Sequence, residues 1–329
     1  MLKIDICVCT FRRPQMLAKL LESLINLEQT RDFTTSIIVV DNDCHQSARP
    51  IVENFQYNPK TSIQYYNEPR QNIALARNAA VNHAVGDFVA FIDDDEVASP
   101  NWVKELVNTL KEYRADGVLG PVIGYFVEEI PVWIRKGKFC NQRTELVSGT
   151  ELRFNQTATN NCIISREALQ SIPGPFDPVY GLSGGEDTDM FKRLIERGYH
   201  FFFSAEARVF EYIPPHRTSA SFLLRRAFGG GLIYTNQVNV LSLSIIKKGQ
   251  FFLKAMALTV FYLMMVPFTA TMGFYRIFSC LQGIAIQVGK FASLLKFQSF
   301  EYRRSDQGEI RNNKAPDNSG SVICGGPEF

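Results

Sequence analysis

The chain has 329 residues, of which 46% are hydrophobic and 21% are charged. This excludes a disordered or fibrous protein and suffices for one large domain, or for a domain of about 200 to 250 residues with an accessory part. Lys and Arg number 35 against 33 Asp and Glu, so no overall field attracts nucleic acid, and we expect no nucleic-acid partner. The seven cysteines are scattered without metal-type pairing, which is typical of a reducing compartment.

Short apolar runs alternate with helical patterns over the first 120 residues. Pro14 and the apolar residues up to Leu27 predict a first helix. Further helices are predicted over Ile73–Ala84 and Pro100–Tyr113. Four runs are typical of strands buried on both faces: Ile4–Cys9, Ser36–Val40, Ile63–Tyr66 and Phe88–Ile92. The alternation predicts a Rossmann-like α/β fold, with a mainly parallel sheet and helices on both faces. Ligands of such sheets bind at the carboxyl ends of the strands.

The pattern becomes less regular from Gly117 to about Phe210. One helix is predicted over Thr188–Arg197. Strands are predicted near Val122–Val127, Cys162–Ser165 and Phe201–Ser204. We assign this part to the same domain. The triple glycine Gly229–Gly231 then leads to a strongly apolar C-terminal part.

The C-terminal part is predicted to contact a membrane. Ala255–Tyr275 carries no charge over 21 residues, enough to cross a bilayer. Ile277–Leu295 has the spacing of a basic amphipathic helix suited to a membrane interface. Lysines and arginines flank both segments and would lie near an anionic cytoplasmic membrane surface. The alternative is a buried helical pair packed on the main domain.

These patterns divide the chain into three parts. Residues 1–230 would form the catalytic domain, with a nucleotide-binding half over 1–120 and an acceptor half over 121–230. Residues 231–300 would form membrane-associated helices, and residues 301–329 a disordered tail. The apolar stretch at the N-terminus is short and broken by Asp5, so we expect no secretory signal and a cytoplasmic catalytic domain.

The acidic run Asp93-Asp94-Asp95-Glu96 directly follows a predicted strand. Carboxylates this close repel each other unless a cation is present. Asp93 and Asp95 alternate along the chain and can point into one site, where oxygen ligands favour Mg²⁺ or Mn²⁺ shared with a diphosphate. The alternative is an acidic cap for the next helix, for which a single Asp or Ser would suffice.

A second acidic segment, Gly184-Gly185-Glu186-Asp187, opens a predicted helix. The helix dipole keeps a carboxylate ionised at this position, and the two glycines allow close approach of a ligand. An ionised carboxylate beside a substrate hydroxyl can act as a general base. Taken alone, the segment fits helix capping as well as catalysis.

Together these motifs resemble those of family-2 glycosyltransferases with the GT-A fold. The resemblance covers roughly residues 3 to 230 and is closest to bacterial exopolysaccharide and O-antigen enzymes of the succinoglycan glucosyltransferase kind. It is carried by five ordered motifs: Ile6-Cys7-Val8-Cys9-Thr10-Phe11-Arg12-Arg13-Pro14, Val39-Val40-Asp41-Asn42, Ala76-Arg77-Asn78, Phe91-Ile92-Asp93-Asp94-Asp95 and Gly185-Glu186-Asp187.

The resemblance implies roles for the matching positions. Asp95 and Asp93 would hold the metal, Mn²⁺ or Mg²⁺. Asp187 would deprotonate the acceptor hydroxyl, and Glu186 would contact the acceptor. The nucleotide-sugar donor would be bound by eight residues, namely Thr10, Phe11, Arg13, Asp41, Arg77, Asn78, Asp93 and Asp94.

Four further residues are weaker candidates. His216 would be either a further metal ligand or a surface or acceptor-contacting histidine. Gly185 would approach the acceptor. Arg225 and Arg226 would bind a diphosphate, of the donor or of a polyprenyl carrier. Adjacent residues on a helix diverge by about 100°, so we expect one of the two arginines to face the site.

The sequence therefore predicts a metal-dependent, inverting glycosyltransferase. It would move one sugar from a nucleoside-diphosphate donor, preferably a UDP-hexose, to a polyprenyl-diphosphate-linked oligosaccharide during bacterial surface polysaccharide synthesis. The expected location is the cytoplasmic face of the inner membrane. The alternatives are a retaining transferase of the same fold and a catalytically inactive membrane scaffold. A nucleotidyltransferase is disfavoured, because it would carry a glycine-rich loop after the first strand.

Overall fold

A computed structural model describes residues 1–56, 61–181, 184–238 and 240–295. The tail predicted over 301–329 lies outside the described residues. Ten strands are present in the described part, arranged in two sheets. They are β1 (Leu2–Thr10), β2 (Phe33–Asp41), β3 (Ser62–Asn67), β4 (Phe88–Phe91), β5 (Glu96–Ala98), β6 (Gly117–Leu119), β7 (Val122–Tyr125), β8 (Cys162–Ser165), β9 (Phe201–Phe203) and β10 (Val209–Tyr212).

The large sheet has seven strands in the order β3-β2-β1-β4-β8-β6-β9. Its strands pair in parallel except around β8, which is antiparallel to both β4 and β6. In β1, Ile6 and Val8 are buried in one core cluster, while Cys7 between them is buried in the other. A strand covered on both faces needs apolar residues at consecutive positions. The predicted mainly parallel sheet is thus confirmed, with one antiparallel strand inserted.

A second, three-stranded sheet has the order β5-β10-β7. β10 runs antiparallel to β5 and parallel to β7. The strand expected near Val122–Val127 belongs to this sheet, whereas β5 and β10 were not predicted. The register places Glu211 opposite Glu96, so this small sheet brings two acidic residues together beside the acidic run.

Ten α-helices accompany the sheets in the described residues. They are α1 (Pro14–Ile25), α2 (Arg49–Phe55), α3 (Ile73–His83), α4 (Trp102–Tyr113), α5 (Val132–Gly137), α6 (Arg166–Gln170), α7 (Glu186–Glu196), α8 (Ala220–Gln237), α9 (Ile245–Thr269) and α10 (Phe274–Ala292). α1 begins at Pro14 as predicted and buries Leu17, Leu20 and Leu24 on one face. α7 begins two residues before the predicted start, so Glu186 and Asp187 lie in its first turn.

The triple glycine lies inside α8, and the boundary that we expected at residue 230 therefore falls within a continuous helix. A Cβ atom added to Gly231 would lie 2.1 Å from the carbonyl oxygen of Ile286, and one added to Gly289 would lie 2.1 Å from that of Phe228. Small residues are thus required where the backbones of α8 and α10 cross closely. The glycines thus allow α10 to pack closely against α8.

α9 and α10 are long and apolar enough to cross a membrane by length and composition. The spans are Ile245–Ala270, with a mean hydropathy of 1.8, and Phe274–Leu295, with a mean hydropathy of 1.3. Only 6% of the apolar window of the first span is buried inside the structure, against 33% for the second. The alternative of a buried helical pair therefore describes α10 in part, whereas in α9 only Ala255 and Thr269 are buried.

Candidate active site

The carboxyl ends of three parallel strands meet at one edge of the large sheet. β1 ends at Thr10, which lies in register with Asp41 at the end of β2, and β4 ends at Phe91, two residues before Asp93. Ligand sites of parallel sheets lie at this edge. The structure thus brings the first, second and fourth sequence motifs together.

Asp94 is held by the residues that follow β1. The Thr10 hydroxyl donates to Asp94 Oδ2 at 2.8 Å, and Arg13 donates to Asp94 Oδ1 at 3.0 Å. Asp94 is only 5% exposed, and burial raises its pKa to about 6, although Arg13 opposes this shift. In this structure Thr10 and Arg13 support the acidic loop. Phe11, half-buried beside them, lies 4.9 Å from the Arg12 guanidinium.

Asp95 lies between two arginines. Arg13 reaches its Oδ2 atom at 3.2 Å, and Arg217 reaches the same atom at 3.5 Å. Arg217 also binds Glu211 Oε1 at 3.0 Å. The sequence alone did not indicate Arg217, because nothing in Pro214-Pro215-His216-Arg217 shows which side chain turns toward Asp95.

His216 lies beside Phe222, and its role as a metal ligand or as a surface or acceptor-contacting histidine stays a prediction. Its ring packs edge-on against Phe222, with 6.1 Å between the ring centroids. Burial and the neighbouring Arg217 lower its pKa. The possible ligand atoms of His216, Asp93 and Asp95 do not all lie within 4.8 Å of one another. Arg217, the next residue, lies beside Asp95.

Two buried glutamates complete the acidic cluster. Glu96 accepts a hydrogen bond from the Asp93 amide at 2.9 Å, and so fixes the loop after β4. Glu211, opposite it on β10, is 7% exposed, and its Oε2 atom is buried without a hydrogen-bond partner. Burial and the nearby Asp95 raise the Glu211 pKa to about 7. Clustered carboxylates with an unpartnered buried oxygen are a suitable donor set for a hard divalent cation.

Arg77 connects the two acidic motifs. It projects from α3, is 6% exposed, and donates hydrogen bonds to Glu186 and, at 3.4 Å, to Asp93. Glu186 is 2% exposed, and burial raises its pKa to about 7 despite the opposing charge of Arg77. We expected Arg77 to bracket the donor and Glu186 to contact the acceptor. In this structure the two side chains bind each other, and both expected roles stay predictions.

Asn78 is used by the protein itself. Its side-chain nitrogen donates to the Phe176 carbonyl oxygen at 2.7 Å, and its side-chain oxygen accepts from the Phe176 amide at 3.0 Å. Both polar atoms of the amide are therefore engaged by the loop before α7. In this structure Asn78 holds this loop, and its expected contact with the nucleotide-sugar donor stays a prediction.

Asp41 is also engaged by backbone. It is fully buried, and it accepts hydrogen bonds from the amides of Asp43 at 3.0 Å and Ala48 at 2.8 Å, and from the Tyr65 hydroxyl at 3.1 Å. Burial raises its pKa, although these hydrogen bonds oppose the shift. In this structure Asp41 shapes the loop after β2, and its expected part in binding the nucleotide-sugar donor stays a prediction.

The first turn of α7 presents Asp187 to the site. Gly185 precedes it with φ +99°, and a Cβ atom there would lie 2.7 Å from Ile233 Cγ2 of α8. The glycine is thus needed both for its left-handed backbone and for close packing against α8. Asp187 is half-buried, and its Oδ1 atom accepts from the Thr188 amide at 2.7 Å. The pKa of Asp93 is raised mainly by burial, and the charges of Asp95 and Asp187 raise it further.

Comparison with known proteins agrees with this architecture. Residues 5–172 match the model of glycosyl transferase family 2. The chain is 38% identical to the succinoglycan biosynthesis protein ExoM of Rhizobium meliloti (strain 1021) over 230 residues, covering 70% of this chain and 73% of that protein. It is 26% identical to a glucosyl-dolichyl phosphate glucuronosyltransferase of Haloferax volcanii over 247 residues, covering 70% and 75%.

A solved structure shows the same fold. The mannosyltransferase PcManGT from Pyrobaculum calidifontis, in complex with GDP-Man and Mn²⁺, superimposes with a TM-score of 0.61 at 16% identity, covering 89% of this chain and 87% of that one. The predicted GT-A fold is thereby confirmed. The chain belongs to glycosyl transferase family 2, and it is a glycosyltransferase.

Proposed function

We propose that this protein transfers one sugar, with inversion, from a nucleoside-diphosphate hexose to a lipid-linked oligosaccharide. The observation that carries the proposal is the position of Asp187. It is half-buried in the first turn of α7. Its charge helps to raise the pKa of Asp93, in the loop after β4. A single displacement needs one base on the acceptor side and a stabilised leaving group on the donor side.

Asp187 would take the proton of the acceptor hydroxyl. The N-terminus of α7 stabilises its negative charge, and the hydrogen bond from the Thr188 amide fixes its Oδ1 atom. Glu186 is held by Arg77 within the protein, so it acts by positioning the first turn of α7. Asp187 is the carboxylate of this pair that remains accessible.

The donor diphosphate would lie beside Asp95. Arg13 and Arg217 both contact this carboxylate, and guanidinium groups bind phosphate oxygens with two parallel hydrogen bonds. Asp93 and Asp95 would hold Mn²⁺ or Mg²⁺, which when bound supplies positive charge to the departing diphosphate. We expect the two arginines to bind diphosphate oxygens once they are released from Asp95.

The acceptor is proposed to be attached to a polyprenyl diphosphate at the cytoplasmic face of the bacterial inner membrane. α9 exposes a continuous apolar surface that a bilayer would cover. The similarity to a succinoglycan biosynthesis protein supports a role in surface polysaccharide synthesis. The similarity to a glucosyl-dolichyl phosphate glucuronosyltransferase supports a lipid carrier for the acceptor.

The proposed donor site is tested by thermal unfolding of the purified protein with UDP-, GDP-, dTDP- and CDP-sugars, with and without Mn²⁺. Stabilisation by one nucleotide that depends on Mn²⁺ supports the donor class and the metal site together. UDP-sugars are the expected class. A protein that no donor stabilises would contradict the proposal and favour an inactive scaffold. For an active donor, NMR of the first product reports the anomeric configuration, and retention would refute inversion.

A further inference from the structure

A cavity of about 310 Å³ lies where the catalytic domain meets the apolar helices. Three segments form its walls: helix α8, helix α10, and the loop that follows α5. Apolar and polar side chains alternate around it, and one residue is charged. The lining residues are Phe139, Cys140, Asn141, Gln142, Leu223, Arg226, Ala227, Gln282 and Ile286. The sequence indicated Arg225 and Arg226 as candidates for binding a diphosphate, but it did not predict the cavity.

Arg226 is the cation of this cavity. Its neighbour Arg225 does not line it, so the structure distinguishes the two arginines that the sequence left equivalent. Arg226 is exposed and has no carboxylate partner among the residues that the structure describes. Its charge opposes the rise in the pKa of both Cys140, in the cavity wall, and Glu211, in the acidic cluster. The charge of Arg226 therefore acts on both the cavity wall and the acidic cluster.

One side of the cavity is apolar and buried. Cys140 and Leu223 from its walls are buried in one cluster with Phe278 of α10. The crossing of α8 and α10 at Gly231 and Gly289 fixes the helices on either side. The cavity is thus preformed, and its outer wall, at Gln282 and Ile286, belongs to one of the two candidate membrane spans.

We propose that this cavity binds the phosphate group and the first isoprene units of the lipid-linked acceptor, with Arg226 on the phosphate and Leu223 and Ile286 against the lipid. The proposal rests on the proposed function and deepens it. The donor diphosphate belongs beside Asp95, where Arg13 and Arg217 supply the cations. A second, separate cation near the apolar helices fits a phosphate that enters from the membrane side.

The test uses the full chain in neutral detergent micelles, with farnesyl diphosphate as the probe and calorimetry as the readout. We expect farnesyl diphosphate to bind, and Arg226→Gln to raise its Kd about tenfold or more, because a charge-assisted contact is lost. Arg225→Gln, which removes the same charge one residue away, should change Kd less than twofold. Farnesol, which lacks the diphosphate, should bind equally to the Arg226→Gln variant and the unaltered protein.

A second variant tests the cavity itself. Ala227→Phe fills it, and should weaken the binding of both farnesyl diphosphate and farnesol while circular dichroism and the melting temperature show a folded protein. Three results would overturn the proposal. In the first, farnesyl diphosphate does not bind. In the second, Arg225→Gln and Arg226→Gln lose the same affinity for it. In the third, phosphatidylglycerol displaces the probe as effectively as unlabelled farnesyl diphosphate does. The last would identify a general headgroup site.

Failure of the proposed function is distinguishable from failure of this site. Donor binding in the presence of Mn²⁺ is measured separately, on the unaltered protein, by thermal unfolding. If the unaltered protein binds no donor while farnesyl diphosphate still binds through Arg226, the proposed transferase chemistry fails and the lipid-phosphate site stands.

Discussion

Arg77 of α3 and Glu186 of α7, 109 positions apart in the chain, form a buried ion pair beneath the active site. Only 8% and 2% of the two side chains are exposed. Arg77 also reaches Asp93 at 3.4 Å, so one guanidinium joins the acceptor-side helix to the acidic loop that follows β4. Movement of either segment would leave a buried charge without its partner, and the pair therefore fixes their relative position.

At pH 8, where Glu186 is ionised in the folded protein because its pKa is about 7, Arg77→Leu should destabilise the protein by about 3–5 kcal/mol, since it leaves the Glu186 carboxylate buried without a counter-charge. The double variant Arg77→Leu with Glu186→Leu should recover most of this loss. Urea unfolding provides the measurement. Arg193→Leu, which breaks the partly exposed pair with Asp189, is the control and should cost about 1 kcal/mol or less. Equal losses for the two single variants would contradict a special role for the buried pair.

Asp187→Asn should lower kcat by about 10² to 10⁴, because the amide cannot accept the acceptor proton. Donor affinity in the presence of Mn²⁺ should change little, since Asp187 lies on the acceptor side. Turnover assays and thermal shifts on the same preparation check both points. Glu196→Gln, at the other end of α7 and largely exposed, should retain full activity. Near-normal turnover by Asp187→Asn would mean that another group is the base.

Asp95→Asn should abolish the part of donor binding that depends on Mn²⁺, because a neutral amide is a poorer ligand for a hard cation. The readout is the difference in melting temperature with donor, measured with Mn²⁺ and with chelator. Asp32→Asn removes an exposed carboxylate that pairs with Lys111, and serves as the control. If Asp95→Asn kept the full Mn²⁺-dependent shift, the metal would have to be held elsewhere.

The free energy of unfolding without divalent cations should fall as the pH rises from about 5 to 8. Burial raises the pKa of both Glu186 and Glu211 to about 7, so between their ordinary values and pH 7 the folded state binds more protons than the unfolded state. Stability then decreases with pH through this window. Each pKa unit corresponds to about 1.4 kcal/mol, which makes the loss per group on the order of a few kcal/mol.

The source of this pH dependence is testable with Glu211→Gln, which should flatten part of the decline. Mg²⁺ should stabilise the unaltered protein more at pH 8 than at pH 5, because the carboxylates must be ionised to bind it. Chemical denaturation at each pH supplies the values. A decline that is unchanged in Glu211→Gln would show that Glu211 does not titrate in this range.

Membrane attachment should depend on the exposed face of α9. Phe261, Met264 and Phe268 are 54%, 64% and 69% exposed, so replacing all three with Glu should release the protein from anionic vesicles without disturbing the catalytic domain. Vesicle co-sedimentation measures attachment, and donor-induced thermal shifts verify the fold. Leu17→Glu, a core substitution, should instead unfold the protein. A triple variant that still sediments fully would place the contact on another surface.

The amino-acid sequence alone determined those features that depend on local patterns. The strands β1 to β4 and the helices α1, α3 and α4 were predicted close to their observed bounds, because apolar periodicity reflects burial directly. The acidic run after β4 was placed at the carboxyl edge of the sheet, since strand order and right-handed connections leave few alternatives. The family resemblance rests on these same segments.

Only the tertiary structure decided what depends on contacts between distant residues. β5 and β10 have three and four residues, too few to show a periodicity, and their pairing is what sets Glu211 opposite Glu96. The orientation of Arg217 rather than His216 toward Asp95 follows from the path of a short 3₁₀ turn. The pairing of Arg77 with Glu186, and the separation of Arg226 from Arg225, depend on how helices pack. A sequence records which side chains are available, whereas packing and desolvation select their partners.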